Sequence, residues 1–217
     1  MKQFLVVGAG RFGGGIIKEL SRHDCQIVVC DLNEKYLDDY DEYTSYSLVG
    51  DMKENEVLDE FNIPDFDTVF VAIGNDEYSA ILITKKLKER GAKKVIAKAS
   101  GKEAGEILEG VGADFVIYPE EEAGAKAARR ELMAGVIEYF EITKEVSAIE
   151  MEVPEAFWGK TLAELNFSNN YNLTVSLLLR DGKPLLSQIS SERMQEADQF
   201  LLIGPNQSIS NFRKKFS

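Results

Sequence analysis

The sequence predicts an α/β protein: a Rossmann-type, doubly wound parallel sheet of six strands, then a crossover helix and a small α+β C-terminal lobe. Three observations carry this. Six short β-rich runs recur with helically spaced segments between them. The fourth run, residues 68–73, is almost continuously apolar, as a strand covered on both faces must be. Beyond residue 145 the pattern changes to apolar/polar alternation around a tight turn. The expected domains are 1–118 for the parallel sheet, 119–145 for the crossover helix and linker, and 146–217 for the lobe.

The first strand, residues 3–7, runs directly into Gly8-Ala9-Gly10-Arg11-Phe12-Gly13 and a helix with Phe12, Ile16, Ile17 and Leu20 at helical spacing. In a dinucleotide-type loop each glycine has a mechanical role. Gly8 permits the tight turn, Gly10 lets a pyrophosphate approach the backbone, and Gly13 allows close helix–strand packing. A phosphate belongs at the helix N-terminus, where free N–H groups and the helix dipole favour anions. Arg11 adds a guanidinium fork beside that position. It suits the terminal phosphate of ATP or ADP as well as a pyrophosphate, and a plain surface arginine is the alternative. Gly14 and Gly15 continue the run into the helix, each costing roughly 1 kcal/mol relative to alanine. Close backbone approach, to a ligand or to another chain, is the expected compensation.

The second strand, 26–30, is closed by Asp31, near the spacing at which a carboxylate accepts ribose hydroxyls and disfavours a 2′-phosphate. A solvated strand-end acid is the alternative. The third strand, 45–49, leads to Gly50-Asp51, where Asp51 is placed to approach an adenine edge or to serve as an ordinary loop acid. After the fourth strand comes a helix over 76–90 with Ile81, Leu82 and Leu87 on its apolar side and Gly91 as its terminator. Strands at 94–98 and 114–118 complete the sheet. A long helix is expected over 119–140, opened by Pro119 and by Glu120, Glu121 and Glu122 at the positive end of its dipole. The lobe should contain strands at 146–153, 173–179 and 199–203, with Asp181-Gly182 as a hairpin turn.

The composition narrows the function. A net charge of −12 opposes binding to nucleic acid or to anionic membrane surfaces. No apolar run is long enough to span a bilayer, and Met1-Lys2-Gln3-Phe4 leads into a core strand, so an intracellular, soluble protein is expected. Cys25 and Cys30 read as core thiols. Catalytic equipment is scarce: the only histidine, His23, ends the first helix on a polar stretch, and no tyrosine is followed four positions later by lysine. Gly159-Lys160-Thr161 looks like the tail of a P-loop, but no parallel strand leads into it.

Taken together, residues 4–13 with Arg11, Cys30-Asp31-Leu32-Asn33, Gly50-Asp51, residues 71–76, residues 112–120 and, in the lobe, residues 159–165 and 197–204 resemble the RCK family, the regulators of potassium conductance. Within it the chain is similar to the cytosolic regulatory subunits of Ktr- or Trk-type potassium uptake systems, over essentially its whole length. The resemblance implies a non-enzymatic gating subunit. Its N-lobes dimerise and build an octameric ring beneath a membrane potassium translocating subunit, and nucleotide identity (ATP/ADP, or NAD/NADH) changes the ring's shape. It further implies that Arg11 meets the ATP terminal phosphate, Asp31 and Asn33 the ribose, and Asp51 the adenine. Lys98 lies near the phosphates, and Glu120 holds a bridging Mg²⁺ or Ca²⁺ between neighbouring subunits. Gly8, Gly10, Phe12, Gly13, Gly74 and Asn75 complete the nucleotide-binding set. The implied location is cytoplasmic and peripheral to the membrane through the partner, without lipid insertion. Members that bind cyclic di-AMP carry an arginine where this chain has Ser168, which argues against that ligand here. An NAD-dependent oxidoreductase would use the same loop and Asp31, and the missing acid–base residues count against it. A regulator of an antiporter or of another channel shares this chemistry and differs only in its membrane partner.

Overall fold

Along β1 (Lys2–Val7), Leu5 and Val7 enter one hydrophobic cluster and Val6 the opposite one, and all three are buried. A strand so placed must lie inside a sheet covered on both faces. The computed structural model describes residues 1–74, 76–132, 135–185 and 189–216. It divides into two units, Met1–Ala123 and Gly124–Ser217.

In the first unit β1 is followed by α1 (Arg11–Leu20), β2 (Cys25–Asp31), α2 (Glu34–Asp38), β3 (Tyr46–Val49) and α3 (Asn55–Asp59). Then come β4 (Thr68–Val71), α4 (Glu77–Glu89), β5 (Val95–Lys98), α5 (Lys102–Gly110) and β6 (Phe115–Ile117). The six strands are parallel in the order β3-β2-β1-β4-β5-β6, the doubly wound arrangement expected from the sequence. Because the chain leaves β1 in one direction and β4 in the other, a crevice opens beyond their carboxyl ends. The register levels those ends: Val7 pairs with both Cys30 and Val71, and Val71 pairs with Ala97. Gly8, Asp31, Ala72 and Lys98 therefore emerge side by side. β4 leaves the ladder at Val71, two residues earlier than expected, which frees 72–74 to line the crevice.

Helix ends follow from local chemistry. Asp76 caps α4 by accepting the Ser79 N–H at 3.0 Å, and Gly91, at φ +84°, closes it as expected. The helix expected over 119–140 is shorter: α6 (Pro119–Leu132) ends, and Val136–Glu141 is a strand, β7. Gly135, at φ +77°, stands outside the helix, and Val136, Tyr139 and Phe140 in the β-branched and aromatic run that follows pair with the next strand.

The second unit continues with β8 (Val146–Glu152), α7 (Phe167–Tyr171), β9 (Thr174–Arg180), β10 (Lys183–Leu185), β11 (Gln199–Pro205) and α8 (Asn206–Phe216). Its sheet is antiparallel in the order β10-β9-β11-β8-β7. The Asp181-Gly182 turn has both residues at positive φ, 51° and 70°, as a type I′ hairpin requires. Phe157, Phe167, Phe200 and Phe212 form its aromatic centre, with ring centroids 5.5–6.4 Å apart. Thr161 belongs to a reciprocal cap: its N–H donates to Glu164 Oε2 at 3.0 Å, and the Glu164 N–H donates to Thr161 Oγ1 at 3.1 Å. The Gly159-Lys160-Thr161 segment is thus a turn, not a phosphate cradle.

Asp198, fully buried, receives a two-pronged hydrogen bond from Arg180, Nε to Oδ1 and Nη2 to Oδ2, both at 2.9 Å. Arg180 also donates to Glu192 at 2.8 Å, and these bonds raise its already high pKa. Removing Asp198 takes away two of these charge-assisted bonds and the acceptor of the Gln195 N–H, while Glu192 remains beside Arg180. We expect Asp198→Ala to destabilise the second unit by about 1.5–3 kcal/mol. Trp158, the chain's only tryptophan, lies in this unit and reports its urea unfolding by fluorescence.

Candidate functional site

An open cleft of about 980 Å³ lies at the carboxyl ends of β1, β2, β4 and β5. The glycine loop forms its floor, and each glycine there answers to a different constraint. Gly8 stands at φ +96° against the Ala72 backbone. A Cβ on Gly13 would lie 1.9 Å from the Gly8 carbonyl oxygen, so the entry of α1 beneath the loop requires glycine. Gly10 lines the cleft, and a Cβ there would meet no protein atom within 4 Å. The open side of that residue is where a ligand can reach the backbone. The first N–H groups of α1, on Arg11, Phe12 and Gly13, have no intrahelical acceptor, and they present positive partial charge to the cleft.

Asp31 is no solvated strand-end acid. Its Oδ2 accepts the Ala9 N–H at 2.6 Å and its Oδ1 accepts the Asn33 N–H at 2.8 Å, tying the glycine loop to the turn after β2. Asn33 in turn caps α2 by accepting the Lys35 N–H at 3.1 Å. Asp51 Oδ1 accepts the Lys53 N–H at 2.9 Å, and its Oδ2 is 3.4 Å from Lys53 Nζ.

On the opposite side, Lys98 Nζ donates to Glu120 Oε1 at 2.7 Å and lies 6.0 Å from the Phe12 ring centroid. Its side chain is only 11 % exposed, whereas that of Glu120 is 68 % exposed. The hydrogen bond from Lys98 is the main cause that holds the Glu120 carboxyl below the usual glutamate range, with Arg11 adding a smaller pull. Gly74 makes room for this lysine, since a Cβ would stand 3.0 Å from Lys98 Nζ.

The structure thus brings Gly10, Arg11, Phe12, Asp31, Asn33, Asp51, Gly74, Lys98 and Glu120 to one cleft, with Gly8 and Gly13 shaping its floor. Asn75 lies outside the described residues. Sequence reasoning missed Leu32, Tyr36, Asp39, Tyr40, Asp76 and Ser79, which also line it. Of these, Asp76 and Ser79 carried a signal, an acid three residues ahead of a serine at a helix start. Asp76 is held below the usual aspartate range by the Ser79 hydroxyl and N–H. Gly14 admits Tyr40: a Cβ there would fall 1.9 Å from the phenol oxygen. The close approach observed at Gly14 is to this chain's own Tyr40 side chain. Nothing in the structure explains Gly15.

Chemically the cleft is bipolar. Amide N–H groups, Arg11 and Lys98 attract an anionic group at one end, while Asp31 and Asp51 offer acceptors for hydroxyl or amino donors at the other. These features fit a nucleotide. Cys30 lines the cleft, but burial and then Asp31 push its thiol up to about 12, so it stays protonated. His23 is exposed beside Glu19 and does not line the cleft. Among the described residues no three His, Cys, Asp or Glu side chains cluster as metal ligands, and no helix is long and apolar enough to cross a membrane.

Residues 4–119 match the TrkA-N domain and residues 146–217 the TrkA-C domain. The chain is 30 % identical over 214 residues to Ktr system potassium uptake protein C of Bacillus subtilis (strain 168), covering 99 % of this chain and 97 % of that protein. It is 30 % identical over 210 residues to Ktr system potassium uptake protein A of Vibrio alginolyticus, covering 97 % and 96 %. Among solved structures it is similar to the GsuK channel, with TM-score 0.70, 15 % identity, and coverage of 100 % of this chain and 39 % of that one. The GsuK channel bound to NAD also matches, with TM-score 0.52, 19 % identity, and coverage of 100 % and 38 %. At that identity the structural likeness establishes the fold.

Two measurements check the site. Asp31→Ala should lower stability by about 1–3 kcal/mol, because the Ala9 and Asn33 N–H groups lose their acceptor, and thermal melting without ligand reads it. Lys98→Met should remove the largest of the pulls on Glu120, so an NMR titration of its side chain should show a midpoint higher than in the parent.

Proposed function

This chain belongs to the TrkA-N/TrkA-C (RCK) family, which is non-enzymatic, and on that footing we propose that it is the nucleotide-sensing regulatory subunit of a Ktr-type potassium uptake system. The observation that supports this most is the pairing of Lys98 with Glu120 across a cleft whose floor is the N-terminus of α1. Lys98 is nearly buried, and among the described residues its only charged partner at bonding distance is one carboxylate. An entering phosphate competes with Glu120 for that lysine and for Arg11. Glu120, at the first turn of α6, then loses its cation, and the start of that helix is no longer pinned to β5. Nucleotides with different phosphate charge thereby hold the unit in different conformations, and coupling of about 1–3 kcal/mol is enough to regulate a partner.

The ligand is ATP or ADP, with NAD(H) as a further candidate; NAD is bound in a GsuK channel of the same fold. Gly8, Gly10, Phe12, Gly13, Gly74 and Asn75 form the phosphate-side backbone. Arg11 and Lys98 neutralise phosphate, Asp31 and Asn33 hold the ribose, and Asp51 meets the base. Glu120, once released from Lys98, is one oxygen ligand for Mg²⁺ or Ca²⁺, with phosphate oxygens supplying others. The partner is a membrane potassium translocating subunit, consistent with the names of the Ktr relatives. Chains pair and close into an octameric ring at the cytoplasmic face of the membrane. Exposed Phe115 on the edge strand β6 and Ile107 on α5 supply apolar surface for such association. No observation favours an oxidoreductase: Cys30 is held protonated, and no histidine is among the described residues that line the cleft.

Calorimetry on Arg11→Ala tests the reading. ATP affinity should fall by about one to two decades, matching the roughly 1.5–3 kcal/mol of a charge-assisted hydrogen bond, and NAD affinity should fall less. Equal losses remove Arg11 from the terminal-phosphate role. In vesicles carrying a Ktr membrane subunit, ATP and ADP should give different potassium fluxes only when this chain is present.

A further inference from the structure

The residue that opens α6 lays its side chain on a different helix. Tyr118, whose carbonyl oxygen accepts the Glu122 N–H at 3.0 Å, packs its ring against α5 at Gly105. A Cβ on Gly105 would stand 1.9 Å from the phenol oxygen and 2.7 Å from Cζ. Glycine inside a helix weakens it, and here it leaves a notch that admits the ring. Among the described residues the Tyr118 hydroxyl has no hydrogen-bond partner, so packing alone seats it. Just beyond it in the chain, Glu120 takes the hydrogen bond from Lys98. The start of α6 is therefore held twice, by a charge at the cleft and by a ring in α5. A ligand does not reach the second hold, because Tyr118 is not among the residues that line the cleft.

We infer that Tyr118 and the Gly105 notch form a catch: the ring fills the notch while Glu120 is paired with Lys98, and leaves it when an anion in the cleft takes that lysine, so that α5 is loosened by a ligand it never touches. The inference rests on the competition for Lys98 proposed above. A ring that either fills a notch or does not is an element with two discrete arrangements, the kind through which separate sites are coupled. Tyr118 and Glu120 flank a single proline, whose ring fixes its φ, so the two cannot shift independently. Gly105 and Ile107, two positions apart, lie on nearly opposite sides of α5. Gly105 is buried and Ile107 is 50 % exposed, so loss of the ring from the inner face is felt at an apolar residue on the outer one. Linkage sets the sign: a ligand that empties the notch binds more tightly to a protein in which it is already empty.

The test is calorimetry on the full chain with ATP and with inorganic triphosphate, comparing the parent, Tyr118→Ala, Gly105→Ala and the double variant. Gly105→Ala keeps the whole ring and closes only the notch, so the outcome does not hang on a variant that loses core packing. Each single variant should bind both ligands about fivefold more tightly than the parent, or better. The double variant should bind no more tightly than either, since all three remove one contact. In the parent, ATP should speed amide hydrogen exchange in α5; in the variants that response should vanish. Affinity that is unchanged or weaker in both single variants overturns the inference, as do gains that multiply in the double variant, or α5 exchange in the parent that ignores bound ATP. If both variants gain for triphosphate while ATP binds the parent no more tightly than triphosphate does, the catch stands and the nucleotide reading falls. A parent that binds neither ligand removes both.

Discussion

The Asp31 carboxylate ties together two loops that the pairing of β1 with β2 delivers side by side. One oxygen holds the Ala9 N–H in the glycine loop and the other holds the Asn33 N–H at the start of α2. The loop's shape follows from that anchor together with the contact at Gly13, whose missing Cβ leaves room for the Gly8 carbonyl. With the loop fixed, α1 presents its free N–H groups to the cleft; with the turn fixed, α2 stands on the neighbouring wall. An acid at this position therefore shapes the cleft before any ligand arrives. Such preorganisation lowers the ordering cost of binding.

The level strand ends explain why so much of the cleft is legible in the sequence. Parallel strands in this winding order deliver their carboxyl ends to one edge, so residues that come just after strands are cleft residues by topology. Gly10, Arg11, Asp31, Asp51 and Lys98 all end strands or come just after them, and are legible for that reason. Leu32 follows β2 directly and shares that placement, whereas Tyr36 lies within α2, and an apolar residue on a short helix ordinarily reads as core. The end of α6 is hidden because helical composition runs on past it, and the decisive features, the φ of Gly135 and the pairing of β7 with β8, belong to the folded chain. Gly14 is legible as an anomaly but not as a contact, since Tyr40, just beyond the end of α2, reaches it only once the chain has folded back onto α1.

The cleft keeps opposite charges close without letting them become chemistry. Its cations are arranged around a helix N-terminus, and Asp31, Asp51 and Glu120 are already engaged by N–H donors or by lysines. Its thiol is held neutral. Under the proposed reading an entering anion rearranges these hydrogen bonds, and fold alone does not decide between such a site and an enzyme built on the same strand order.

The contact of Tyr40 with Gly14 has a consequence for how this lobe can change over generations. The two positions are far apart in the chain yet occupy one volume, so neither can be exchanged freely while the other is kept. A methyl group at 14 is harmful only in the presence of the phenol at 40, and a smaller residue at 40 opens a void only while 14 remains glycine. Tolerance here is a property of the pair, and in related sequences substitutions at the two sites should arrive together, with one constraining the order in which the other is reached.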